Sequence, residues 1–150
     1  MMKIKQGATG ARAQSGFTLI EIMVVVIIIG LLSAMIVPNL FGQQHKAFVI
    51  KAKNDISSIS SQLSMYRLDN FQYPTTSEGL QALATNPGKS TWSGPYMEKN
   101  KLPKDPWKNE YQYANPGTHN PNGFDLWSFG ADGVPGGEGN GKDIGNWDEE

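Results

Sequence analysis

Ser15-Gly16-Phe17-Thr18-Leu19-Ile20-Glu21-Ile22-Met23-Val24-Val25-Val26-Ile27-Ile28-Ile29-Gly30-Leu31-Leu32-Ser33-Ala34-Met35-Ile36-Val37-Pro38 is the stretch on which the fold turns. From Phe17 to Val37 it carries a single ionisable side chain, Glu21. The run is roughly 21 residues, and at about 1.5 Å per residue it spans ~31 Å as a helix, which matches a bilayer's hydrocarbon core. A carboxylate left alone in that environment costs on the order of 3 kcal/mol, so Glu21 reads as functional.

Charge on either side sets the expected orientation. Residues 1–16 hold Lys3, Lys5 and Arg12 and no acid, which keeps that end cytoplasmic. The competing cluster Lys46, Lys51 and Lys53 lies farther out and is diluted by Asp55. Residues after about 40 are therefore expected across the inner membrane. A secretory signal peptide is the plain alternative. The run exceeds a usual signal core, and its small-residue exit, Ser33-Ala34, follows Leu32 where a small residue is wanted.

The remainder of the 150 residues has room for one modest globular domain. Net charge is −1, so there is no basic footprint for nucleic acid. Cysteine is absent, which removes disulfides, thiol catalysis and thiolate metal sites together. The 17 glycines and 9 prolines gather in the second half and signal a loop-rich domain.

Pro38 removes a backbone donor and is expected to kink or locally melt the helix, with Gly42 close behind. Beyond it Phe48, Ala52, Ile56, Ile59, Leu63 and Tyr66 recur in steps of four and three, the apolar stripe of an amphipathic helix ending near Asn70. Lys51, Asn54, Asp55, Ser58, Ser61 and Gln62 occupy its other face. Thr76 or Ser77 is expected to cap a short helix carrying Leu80, Leu83 and Ala84 and stopping at Asn86-Pro87-Gly88. Residues 88–106 read as loop with short extended pieces near Tyr96 and Leu102. Asp105-Pro106-Trp107-Lys108-Asn109 reads as a turn into a strand over Glu110–Ala114, and a second strand is expected over Phe124–Phe129. The fold class is therefore α+β: one long N-terminal helix, half apolar and half amphipathic, packed on a small antiparallel sheet of two to four short strands.

The expected divisions are a leader over 1–16, a membrane span over 17–37, an amphipathic helix over 38–70 and a globular domain over 71–150. Against the leader, Gly16-Phe17-Thr18-Leu19-Ile20-Glu21-Ile22-Met23-Val24-Val25 resembles the processing signature of the type IV pilin-like superfamily. Tyr73-Pro74-Thr75-Thr76, Asp105-Pro106-Trp107-Lys108-Asn109 and Gly130-Ala131-Asp132-Gly133 with Asp143-Ile144-Gly145-Asn146-Trp147 resemble the major pseudopilins of type II secretion, the general secretion pathway protein G family.

That resemblance implies cleavage between Gly16 and Phe17 by a prepilin peptidase, methylation of the new Phe17 amine, and homopolymerisation into a pseudopilus. It further implies minor pseudopilins, an inner-membrane assembly platform and a secretion ATPase as partners, besides membrane lipid. The chain itself shows no nucleotide site and no catalytic constellation, so no enzyme activity is expected. Glu21 would neutralise a neighbouring subunit's Phe17 amine and set the axial offset between copies; snorkelling to the cytoplasmic interface is the plainer alternative. A type IV adhesion or motility pilin and a secreted calcium-binding module are the rival readings.

The Gly- and Asp-rich tail is either a solvating tail or a calcium loop. Asp132 and Asp143 bracket five glycines, but Val134 and Gly136 stand where an EF-hand needs oxygen side chains. The resemblance implies one bound calcium ion, held by the Asp132 and Asp143 side chains and backbone carbonyls near Phe129 and Val134. Lys142, beside a proposed ligand, is expected to lower affinity. His45 and His119 read as unrelated to one another, and Trp92, Trp107, Trp127 and Trp147 as core or subunit contacts.

Overall fold

In the computed structural model the described residues are 16–148, without the side chains of 35–41. The leader expected over 1–16, up to Ser15, lies outside the described residues, as do Glu149 and Glu150. The chain divides into two compact units, the first ending at Leu40 and the second starting at Phe41.

Helix α1, Leu19–Asn70, contributes to both units. It is assigned without a break through Pro38, so the expected local melting is not found. Proline's φ is compatible with helix and the ring removes one donor, so a continuous helix can absorb it at the loss of a hydrogen bond.

In the first unit the apolar side chains stay exposed all round the helix: Leu19, Ile20, Ile22, Met23 and the run Val24–Ile29. Such a helix has no polar face to turn toward water. The Ser33 hydroxyl donates to the Ile29 carbonyl at 2.8 Å, which satisfies it within the helix. Among the described residues no helix is long and apolar enough to cross a membrane; the part of the apolar run with described side chains ends at Ala34.

The second unit is built on the expected stripe. Ala52, Ile56, Ile59, Leu63 and Tyr66 are all buried, and they pack with Leu80, Leu83, Tyr111, Phe124, Leu126 and Ile144. Phe48 is half-buried and meets Trp107 edge-on at 5.8 Å. Burying a Leu or Ile stabilises by about 1.5–3 kcal/mol each, so this stripe is the main source of the unit's stability.

After α1 the backbone is irregular up to the sheet, held by side chains. Asn70 donates to the Tyr66 carbonyl at 2.9 Å and its Oδ1 accepts from Thr91 at 2.8 Å. Trp92 donates its indole N–H to the Ala82 carbonyl at 2.8 Å. The short helix expected over Leu80–Ala84 is a single 3₁₀ turn, Leu80–Leu83. Neither Thr76 nor Ser77 caps it. Its N-cap is Gly79, with no side-chain cap; Thr75 and Glu78 close the turn before it as a reciprocal pair, Glu78 N–H to Thr75 Oγ1 at 3.2 Å and Thr75 N–H to Glu78 Oε2 at 2.8 Å. Thr76 is committed elsewhere, to the Asn115 backbone at 2.9 and 3.0 Å.

The sheet has three antiparallel strands in the order β1-β2-β3: β1 Gln112–Ala114, β2 Asp125–Ser128 and β3 Ile144–Gly145. Tyr113 faces Leu126, and Ser128 faces Ile144. Both expected strands are present but shorter, with Glu110 reduced to an isolated bridge with Lys104. The β1–β2 connection folds around Asp125, whose buried carboxylate accepts from the amides of Thr118, His119 and Asn120 at 2.7, 2.8 and 3.0 Å.

Candidate functional site

Two groups of residues carry the chemistry, one in each unit. At the start of α1, Gly16, Phe17 and Thr18 precede the first helical turn. Thr18 is a helix cap: its Oγ1 accepts the Glu21 amide at 3.3 Å and its carbonyl accepts the same amide at 3.1 Å. Thr18-Leu19-Ile20-Glu21 thus has the spacing of a capping box, a signal present in the residue string itself. Among the described residues, no hydrogen bond or ion pair engages the Glu21 carboxylate. It stands in the first turn, where the helix dipole favours an anion. Phe17 is 78% exposed beside it.

The second group is the loop between β2 and β3, and the Asp105 turn anchors its front. Asp105 is 3% exposed. Its Oδ1 accepts the amides of Trp107 and Asn109 at 3.0 and 2.8 Å, and its Oδ2 accepts the Ser128 hydroxyl. Ser128 Oγ in turn accepts the Gly130 amide at 3.0 Å. The turn therefore fixes where the loop leaves β2, a role not visible in the residue string.

Within the loop, Gly136 and Asp143 are joined twice, Asp143 N–H to the Gly136 carbonyl at 3.2 Å and Gly136 N–H to Asp143 Oδ2 at 3.0 Å. Asp143 Oδ1 is buried, with no hydrogen-bond partner among the described residues. On the other arm Asp132 Oδ1 accepts the Val134 amide at 3.2 Å. A Cβ at Gly137 would sit 2.9 Å from Asp132 Oδ2 and closer still to the Gly141 carbonyl. A Cβ at Gly141 would likewise strike Asp132 Oδ2. Only glycine at these two positions lets the carboxylate and the carbonyl approach.

These residues fit a hard cation. An unpaired carboxylate oxygen costs about 1–3 kcal/mol or more when buried, and a calcium ion takes such oxygens together with backbone carbonyls. Among the described residues no three His, Asp or Glu side chains cluster for a metal, so a cation here would lean on carbonyls. Gly141 lies against Asp132 Oδ2, and its carbonyl oxygen and that carboxylate both border Gly137, a placement the sequence did not indicate. Val134 meets Asp132 through its amide, and Phe129 packs its ring on Trp127 at 6.2 Å.

The other singled-out residues are structural. His45 lies 6.0 Å from the Trp107 ring, and His119 stacks on Trp147 at 3.9 Å. Trp92 packs against the core with Tyr96.

Comparison with known proteins places this geometry in context. Residues 39–147 match the family model for type II secretion system protein G, and residues 11–37 match the prokaryotic N-terminal methylation motif. The chain is 54% identical over 141 residues to type II secretion system core protein G of Pseudomonas aeruginosa, covering 91% of this chain and 97% of that protein. It is 50% identical over 140 residues to the protein of the same description in Vibrio cholerae, covering 91% and 93%. The crystal structure of the major pseudopilin from the type 2 secretion system of enterohaemorrhagic Escherichia coli superposes with a TM-score of 0.59 at 43% identity, covering 73% of this chain and 95% of that one.

Proposed function

The chain belongs to the type II secretion system protein G family, and we propose on that premise that it is the major subunit of a pseudopilus. The family is one of structural pseudopilin subunits, not enzymes. The observation that carries the reading is the Glu21 carboxylate, without a partner among the described residues and four residues from Phe17, in an apolar segment exposed on all sides.

Cleavage after Gly16 would leave an ammonium at Phe17, followed by N-methylation. That charge sits at the positive end of the α1 dipole, the least favourable end for a cation. Staggering two copies brings the Phe17 amine of one to Glu21 of the next, away from water. Desolvating both ions subtracts from the gain, so the pair acts chiefly to fix the axial offset. Residues 17–37 anchor the subunit in the inner membrane, the N-terminus cytoplasmic and the domain periplasmic. Prepilin peptidase, minor pseudopilins, the assembly platform and the secretion ATPase are the partners this role requires. Filament growth would then drive folded proteins through the outer membrane.

In the β2–β3 loop, calcium would be held by the Asp132 and Asp143 side chains with backbone carbonyls, Gly141 beside those expected near Phe129 and Val134. The ion would supply charge neutralisation and a crosslink in a domain without disulfides, so that its binding energy adds to folding.

Glu21→Ala tests the assembly reading. The variant is expected to insert in membranes at wild-type level but to yield no fibres by electron microscopy of spheroplasts, in which wild type shows them. Normal fibres from it would contradict the pairing.

A further inference from the structure

Lys142 precedes Asp143 directly and carries its ammonium to Asp148, Nζ to Oδ1 at 3.2 Å. The two ends of this pair differ. The lysine side chain is 66% exposed, whereas the aspartate is 19% exposed and held by the backbone. Asp148 Oδ2 accepts the Gly145 amide at 3.0 Å, and the Asp148 amide donates to the Gly145 carbonyl at 3.2 Å. The aspartate is the fixed post and the lysine the movable arm. Lys142, Asp143 and Asp148 line one cleft against His45 and Val49 of α1.

We propose that Asp148 is a positioning residue for cation binding, parking the Lys142 ammonium away from Asp143. This rests on the calcium reading above. Asp143 Oδ1 is buried and lacks a hydrogen-bond partner among the described residues, and Asp143 lines the same cleft as Lys142. An ammonium released from Asp148 would pair with that oxygen, cancel a ligand's charge and repel a divalent ion. The expected penalty of Lys142 on affinity is thereby masked in this chain, and the masking is done by a residue outside the loop.

The test is calcium titration of detergent-solubilised full-length protein, comparing wild type, Asp148→Asn, Lys142→Ala and the double variant. Asparagine keeps an acceptor for the Gly145 amide, and the lysine end of the pair is solvent-exposed, so melting in EDTA should be near wild type. Asp148→Asn should weaken calcium binding roughly tenfold, from the effect of one unmasked charge on a divalent ion several ångströms away. The double variant should return to within about twofold of wild type, because the arm that competes is gone. Unchanged binding in Asp148→Asn overturns the proposal. So does a double variant as weak as the single one, since Asp148 would then act through the backbone alone. A wild type that binds no calcium removes the calcium reading first and this proposal with it.

Discussion

Gly137→Ala is the substitution that discriminates best between a cation loop and a merely turning one. Gly137 has φ +82°, and a Cβ there would meet Asp132 Oδ2 at 2.9 Å and the Gly141 carbonyl closer still. Gly136 next to it has φ +90° but nothing within 4 Å of a Cβ. Both alanines incur left-handed backbone strain, about 1–2 kcal/mol. Only Gly137→Ala adds overpacking, about 1–3 kcal/mol, and it adds it where a calcium ion would draw oxygens together. In EDTA the two variants should melt roughly 5–10 °C and 10–25 °C below wild type, Gly136→Ala being the milder, at about 5 °C per kcal/mol for a domain near this size. Calcium at about 100 times its Kd should stabilise wild type and Gly136→Ala by about 2.7 kcal/mol. Gly137→Ala should show no such rise. Differential scanning calorimetry with and without calcium reads all of this, and a wild-type calcium shift in Gly137→Ala would refute the reasoning.

Other consequences follow from buried groups. Asp105→Ala strands two amides and the Ser128 hydroxyl, so it should cost about 2–4 kcal/mol and lower the melting temperature by roughly 10 °C or more. A melt within a degree or two of wild type would mean that the turn does not anchor the loop. Burial and then the bond to the Asp55 carboxylate hold the Tyr111 proton well above the usual tyrosine range, and burial first does the same for Tyr113. The folded form thus favours the neutral phenols, so their contribution is intact below pH 10.0 and is lost as pH rises beyond it. Ultraviolet titration should show these two ionising only as the domain unfolds; early ionisation of all the tyrosines would contradict the burial argument.

Much of the architecture is legible in the residue string because it is periodic. The stripe from Ala52 to Tyr66 announces both the helix and the face it buries, and it is buried as the spacing requires. What escapes is decided by long-range contacts. Thr76 cannot cap because Asn115 occupies it, and no local pattern records that. Strand β3 is hidden in a Gly- and Asp-rich segment whose few apolar residues, Ala131, Val134, Ile144 and Trp147, are too scattered to give an alternation to read; Asn146 extends the pairing instead, its amide to the Leu126 carbonyl at 3.0 Å. Asp132 and Asp143 came from resemblance to a family. The placements of Gly141 and Asp148 are not legible there, because a backbone oxygen's direction and a sixth-neighbour ion pair leave no mark in residue type.

The central claim is that a Phe17 ammonium and a Glu21 carboxylate set neighbouring subunits in register. Mass spectrometry of the mature protein's N-terminal peptide tests its premise most directly. The account predicts a chain starting at Phe17 with a methylated amine. A chain starting anywhere else, including one still carrying residues 1–16, would contradict it.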